Sequence, residues 1–136
     1  MKSIAIDAGP LIDLFDSDGP HHDKVVALLA NTTLPFVTNW LVIGEASYML
    51  SFNLETQCDF ISWACQNLEL DEEVSTDSAR ILEIMKPCAS LPADLADASL
   101  LAMCERRNIR DIATLAADFD VYRTKAKKPL RNVLLG

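Results

Sequence analysis

The chain lacks any apolar run approaching the ~20 residues needed to cross a membrane, and its first short apolar stretch meets an acid at Asp7, so a membrane span is excluded and a cytosolic protein is predicted. It also lacks a C-x-x-C pair. The four cysteines Cys58, Cys65, Cys88 and Cys104 fall in apolar, helix-like contexts, which argues against a zinc site or disulfide framework and predicts reduced, buried thiols. Only two histidines occur, His21 and His22, adjacent and without the spacing of a metal pair on one helix face, so both are expected at the surface. There is no G-x-S-x-G elbow, P-loop or G-x-G-x-x-G fingerprint, and no second acid two residues after Asp7, which removes the common hydrolase, nucleotide-binding and haloacid-dehalogenase templates. Basic residues are scarce for most of the length: residues 1–105 hold 17 acids against 4 Lys/Arg, whereas residues 106–136 hold 3 acids against 8 Lys/Arg. Such a chain can hold cations on its acidic body and phosphates on a basic tail formed by Arg123, Lys125, Lys127, Lys128 and Arg131. A plain solvated tail is the alternative.

What the chain does have is enough apolar material, half of 136 residues, for one domain with a real core spanning 1–136. Short apolar strands are predicted at Lys2–Ile6, Leu34–Thr38 and Arg110–Leu115, an acidic edge-like strand at Leu68–Val74, and a last strand at Asn132–Leu135. Helices are expected at about Leu11–Phe15, His21–Ala30, Trp40–Ser51 capped by Asn39, Glu55–Leu68 with Cys58 and Phe60 inward, and Ser75–Met85 started by Ser75 or Thr76. A further helix opens near Pro92, bears Asp94 and Asp97 on one side of its first turns, runs apolar from Ala98 to Cys104 apart from Ser99, and closes at Arg106-Arg107. Strands alternating with helices predict an α/β fold, a parallel central sheet of four to five strands layered between helices.

Two acids then stand out at strand ends and two on helices. Asp7 and Asp118 follow the carboxyl ends of predicted parallel strands, where open α/β sheets bind ligands. Glu45 is the one charge in an otherwise apolar helix, and Asp97 borders a buried run, where an unpaired charge is expensive. Each has a plain alternative, as a cap, a dipole complement or a side chain reaching solvent. If they converge, carboxylates ~4 Å apart repel by about 4 kcal/mol at an effective dielectric of 20, so the cluster must take up protons or a cation. Oxygen ligands without His or Cys favour Mg²⁺ or Mn²⁺, and such a site suits phosphodiester hydrolysis.

The segments Asp7-Ala8-Gly9-Pro10-Leu11-Ile12, Glu45-Ala46-Ser47-Tyr48-Met49-Leu50, Asp94-Leu95-Ala96-Asp97-Ala98-Ser99-Leu100 and Thr114-Leu115-Ala116-Ala117-Asp118-Phe119, in that order, resemble the PIN-domain ribonucleases, in particular the VapC-type toxins of toxin–antitoxin pairs. The resemblance implies a PIN-like three-layer fold, an acidic quartet of Asp7, Glu45, Asp97 and Asp118 holding Mg²⁺ or Mn²⁺, and Thr114 supporting the cleft by hydrogen bonding. It further implies RNA as substrate, a small antitoxin that inserts a segment into the cleft, and a homodimer. Where many relatives read T-L-D-x-D-F, this chain has Ala116 at the first acid, which leaves Asp120 as an alternative to Asp118 and Asp94 as a cap or supporting acid beside Asp97. Two other readings stand against a metal-dependent ribonuclease: a non-catalytic PIN-like module that binds RNA or protein, and a small-molecule phosphatase, the latter without a visible phosphate-binding loop.

Overall fold

Short runs of β-branched and small apolar residues, each closed by a polar residue that can cap a helix, dictate a strand-then-helix rhythm. The computed structural model describes residues 2–86, 94–116 and 129–135 and has that rhythm: β1 (Ile4–Ile6), α1 (Ala8–Phe15), α2 (His22–Ala30), β2 (Phe36–Asn39), α3 (Trp40–Met49), α4 (Leu54–Asn67), β3 (Glu69–Asp71), α5 (Ser78–Met85), α6 (Leu95–Arg107), β4 (Asp111–Ala113) and β5 (Arg131–Asn132). The expected positions of Pro92 and Cys88 lie outside the described residues.

All five strands are parallel, in the order β3-β2-β1-β4-β5. The chain winds outward from β1 through β2 to β3, then returns to the other side of β1 with β4. The order therefore reverses beside β1, and a crevice opens there at the carboxyl ends of β1 and β4. Asp7 and Thr114 are the residues that follow those two ends.

Helix α6 lies in the core, with Ala96 and every residue from Ala98 to Cys104 buried. It packs against α3 and α5. Asp94 caps its amino end, its Oδ1 accepting the Asp97 N–H at 2.7 Å, and Asn108 ends it in the left-handed region at φ 56°, which Asn tolerates. At that end Arg106 donates to Asp71 at 2.7 Å, Asp77 at 3.0 Å and Glu73 at 3.2 Å, while Arg107 pairs with Asp71 at 3.1 Å and with Glu69. The basic pair thus fastens the acidic edge strand β3 to the core helix.

Several boundaries and placements differ from expectation for local reasons. Helix α1 begins at Ala8 rather than Leu11, because Asp7 itself is the N-cap and Pro10 fits the first turn, where its missing N–H costs nothing. Helix α5 begins at Ser78 after a 3₁₀ turn over Val74–Asp77, the Asp77 carboxylate being taken by Arg106 rather than by a cap. Strand β5 is short, since the Asn132 Oδ1 accepts the Leu134 N–H at 3.0 Å and bends the chain out of the sheet. Cys58 and Cys65 are exposed, not buried: seven residues apart, they share the outer side of α4 while Phe60 and Ala64 face in. Cys104 alone of the described cysteines is buried, and burial pushes its thiol up to about 12. His21 and His22 are half-buried rather than free at the surface; both bind Asp13, the His21 N–H donating to its carboxylate at 3.1 Å and His22 Nδ1 lying 2.8 Å from its carbonyl oxygen.

Candidate metal centre

Each acid reaches the crevice on a different element. Asp7 ends β1, Glu45 sits in the second turn of α3, and Asp97 lies in the first turn of α6. One carboxylate oxygen from each lies within 4.8 Å of the others. The same three residues that stand 38 and 52 positions apart in the chain therefore share one small volume. Three oxygen donors at that spacing, with no His or Cys among them, form a donor set suited to a hard divalent cation such as Mg²⁺ or Mn²⁺.

Asp7 is 4% exposed and held by two hydrogen bonds: the Ala8 N–H donates to Oδ1 at 2.8 Å and the Thr114 hydroxyl to Oδ2 at 2.8 Å. Burial raises its pKa above the ordinary value; the Thr114 and Ala8 bonds act against that rise, and the Asp94 charge adds to it. Glu45 is half-buried and pushed up to about 7, first by burial, then by the charges of Asp94 and Asp7 and a side-chain hydrogen bond with Asp94. Both shifts have the sign of an acidic cluster short of positive charge.

Thr114 is itself fixed from two directions. Its Oγ1 accepts the Ala116 N–H at 3.0 Å, and its carbonyl oxygen accepts from Asn132 Nδ2 at 3.0 Å. Ala116 thus contributes a backbone donor to the hydroxyl that holds Asp7. Gly9 lets this arrangement close, since a Cβ there would stand 3.3 Å from the Cβ of Leu115.

Asn39 and Ser99 were visible in the sequence only as a cap and as the lone polar residue of an apolar helix, yet both are fully buried and Asn39 Nδ2 donates to Ser99 Oγ at 3.1 Å. Asn132 is a second residue that the sequence did not single out for the site. Asp118, Asp120, Arg123, Lys125, Lys127 and Lys128 lie outside the described residues. Arg131 is described: it is bidentate to Asp111 at 3.0 Å on both contacts, and its register with Asp111 and Ile4 puts it at the amino ends of the strands, across the sheet from the acids. An apolar groove of about 590 Å³, lined by Phe15, Val26, Leu29, Phe36 and Trp63, contains none of the acids.

The family profile described as the PIN domain matches residues 4–127. The chain belongs to the PIN domain family. Its five parallel strands and flanking helices are the PIN-like α/β fold. Among solved structures, it is similar to VapC20 from Mycobacterium tuberculosis, described as a toxin that cleaves the sarcin–ricin loop, with a TM-score of 0.80 at 16% identity over 88% of this chain and 94% of that one. It is also similar to FitAcB from Neisseria gonorrhoeae, with a TM-score of 0.55 at 15% identity over 83% of this chain and 87% of that one. No curated protein sequence matches the chain. Among the described residues, no helix of this PIN domain is long and apolar enough to cross a membrane.

Proposed function

We propose that this PIN domain is a Mg²⁺- or Mn²⁺-dependent endoribonuclease, the toxin of a toxin–antitoxin pair. The observation that carries the reading is the convergence of Asp7, Glu45 and Asp97 within 4.8 Å beside the reversal of strand order. The description of VapC20 as a sarcin–ricin-loop-cleaving toxin supports RNA as the substrate class. Asp118 is the proposed fourth ligand, with Asp120 as the alternative, and Asp94 supports the cluster as the cap beside Asp97.

A cation bound by these acids supplies positive charge to the scissile phosphate and to the attacking water. The protein supplies the rest. Thr114 and Ala8 hold the Asp7 carboxylate by one hydrogen bond to each oxygen, fixing it within reach of Glu45 and Asp97. Glu45, pushed up to about 7, would yield its proton near neutrality and so would be able to serve as a ligand to a bound cation. Arg123, Lys125, Lys127 and Lys128 are proposed to meet the RNA backbone; Arg131, engaged by Asp111, is the weakest of the five for that role.

An exposed apolar corner on α3 and the start of α4, with Tyr48, Met49, Phe52 and Leu54 all more than half exposed, supports association with a second copy in a homodimer. A small antitoxin would then close the acidic cleft. The non-catalytic alternative is favoured by Ala116 and by the net charge of -8, and a Mn²⁺ titration separates the two, since a bare module has no use for the acids.

The test is Asp7→Asn and Asp97→Asn, which keep shape and remove ligand charge. Divalent-ion affinity and RNA cleavage should both collapse while the fold survives. Wild-type cleavage by Asp97→Asn under Mg²⁺ would sink the assignment. Asp118→Ala and Asp120→Ala decide the fourth ligand: the first should lower cleavage by orders of magnitude, and the second should leave it.

A further inference from the structure

We infer that Asn39 and Ser99 are positioning residues for the metal centre, joining α3 to α6 so that Glu45 and Asp97 are held at the separation a divalent cation requires. The inference rests on the metal-dependent reading above. Glu45 and Asp97 belong to different helices, so the distance between their carboxylates depends on how α3 sits against α6. A polar tie crosses the same gap. Asn39 Oδ1 accepts the N–H groups of Leu41 at 3.0 Å and Val42 at 3.1 Å, Asn39 Nδ2 donates to Ser99 Oγ at 3.1 Å, and Ser99 Oγ donates to the Ala96 carbonyl at 2.7 Å. Leu41 stands one helical turn before Glu45, and Ala96 is the neighbour of Asp97.

Capping alone does not account for this arrangement. A cap needs only an acceptor, which Ser, Thr or Asp supplies as well, and caps ordinarily face water. Asn39 is 0% exposed, and so is Ser99. Burying an amide and a hydroxyl is unfavourable unless their hydrogen-bonding groups are met, and apolar residues could fill the same space. Asn39 caps through Oδ1 and donates through a separate atom, Nδ2, and that donor is spent on the other helix. Ser99 is where the apolar stripe of α6 is interrupted, two residues past Asp97, at the point that faces Asn39.

The experiment measures the Mn²⁺ dissociation constant of the full chain by titration calorimetry for wild type, Ser99→Ala, Ser99→Thr, Asp97→Asn and Ile81→Val. Outer partners of metal sites typically contribute ~10–100-fold in affinity, and Ser99→Ala is expected at about tenfold weaker binding. Amide exchange at Leu41 and Val42 in the metal-free protein should stay at the wild-type level, because the cap is intact. Ser99→Thr, which keeps the hydroxyl, should recover the affinity. Ile81→Val, a core change on α5, should lower the melting temperature and leave the affinity alone. Wild-type Mn²⁺ affinity in Ser99→Ala overturns the inference, as does an equal loss in Ile81→Val. If Asp97→Asn also binds Mn²⁺ like wild type, the metal centre itself is misassigned, a failure distinct from that of the tie. Should Ser99→Ala not fold, Asn39→Ser, which keeps a capping oxygen and drops the amide donor, is expected to show the same tenfold loss, and wild-type affinity there overturns the inference.

Discussion

At the scale of single residues, Thr114 decides how Asp7 is presented. Thr114→Val keeps the shape and removes both the donor to Asp7 and the acceptor of the Ala116 N–H. A loss of about 1–3 kcal/mol in urea unfolding is expected, from the buried Asp7 oxygen and the half-buried Ala116 N–H left unmet, together with weaker Mn²⁺ binding as the Asp7 carboxyl retains its proton more firmly. Glu45 gives a second residue-level expectation. Its pKa of about 7 means that a cation must displace a proton at acidic pH, so apparent Mn²⁺ affinity should climb as pH rises toward 7 and level off above it. Calorimetry at pH 6.5 in buffers of different ionisation enthalpy should read that proton release, and a buffer-independent heat would contradict the pairing of Glu45 with the cation.

At the scale of elements, strand β3 depends on α6. Asp71 is buried, which by itself would raise its pKa, yet the Arg106 hydrogen bond, the Glu73 N–H and the charges of Arg106 and Arg107 leave it below the usual carboxylate value. Arg106→Ala leaves Asp71 with Arg107 and the Glu73 N–H as its remaining partners and should cost about 1.5–3 kcal/mol, while Asp71→Asn in the same background should recover part of the loss. Chemical denaturation of the two single variants and the double variant measures it. The sequence displayed both halves of this contact, an acidic edge strand and a basic helix end, but nothing local says that they meet, because the pairing spans 35 residues. The strand-end acid Asp7, the cap Asn39 and the buried course of α6 could be read directly, since each follows from residues within one turn of it. The exposure of Cys58 and Cys65 could not: a small apolar side chain carries little information about which side of a helix it occupies. The Ser99 tie was hidden for the reverse reason, as one hydroxyl in an apolar helix looks the same whether it bonds its own backbone or a neighbour.

For the whole molecule, the acidic cluster sets the pH response of the metal-free protein. Glu45 and Asp7 both have folded pKa values above their unfolded ones, so the native state holds more protons than the unfolded chain and stability declines as pH rises. For Glu45 the window runs from about 4.5 to about 7. Asp71 works in the opposite sense, its contribution being lost only as pH falls below its unfolded value of 3.8. Thermal melts of the metal-free chain should therefore drop between about pH 4.5 and about pH 7, and Glu45→Gln should flatten the slope. Saturating Mn²⁺ should do the same by binding the ionised form.

The reversal of strand order beside β1 also has a consequence in time. β1 is synthesised just ahead of its neighbour β2, yet its other neighbour β4 begins only at residue 111. Thr114, which holds Asp7, is therefore synthesised more than a hundred residues after it. Until the chain has been extended past that point, Asp7 has no hydroxyl partner and the crevice has only one wall. Long-range strand pairing of this kind forms late. A partly synthesised chain consequently carries Asp7, Glu45 and Asp97 without the strand whose end fixes Asp7, and the cluster takes its final form only after β4 has been made.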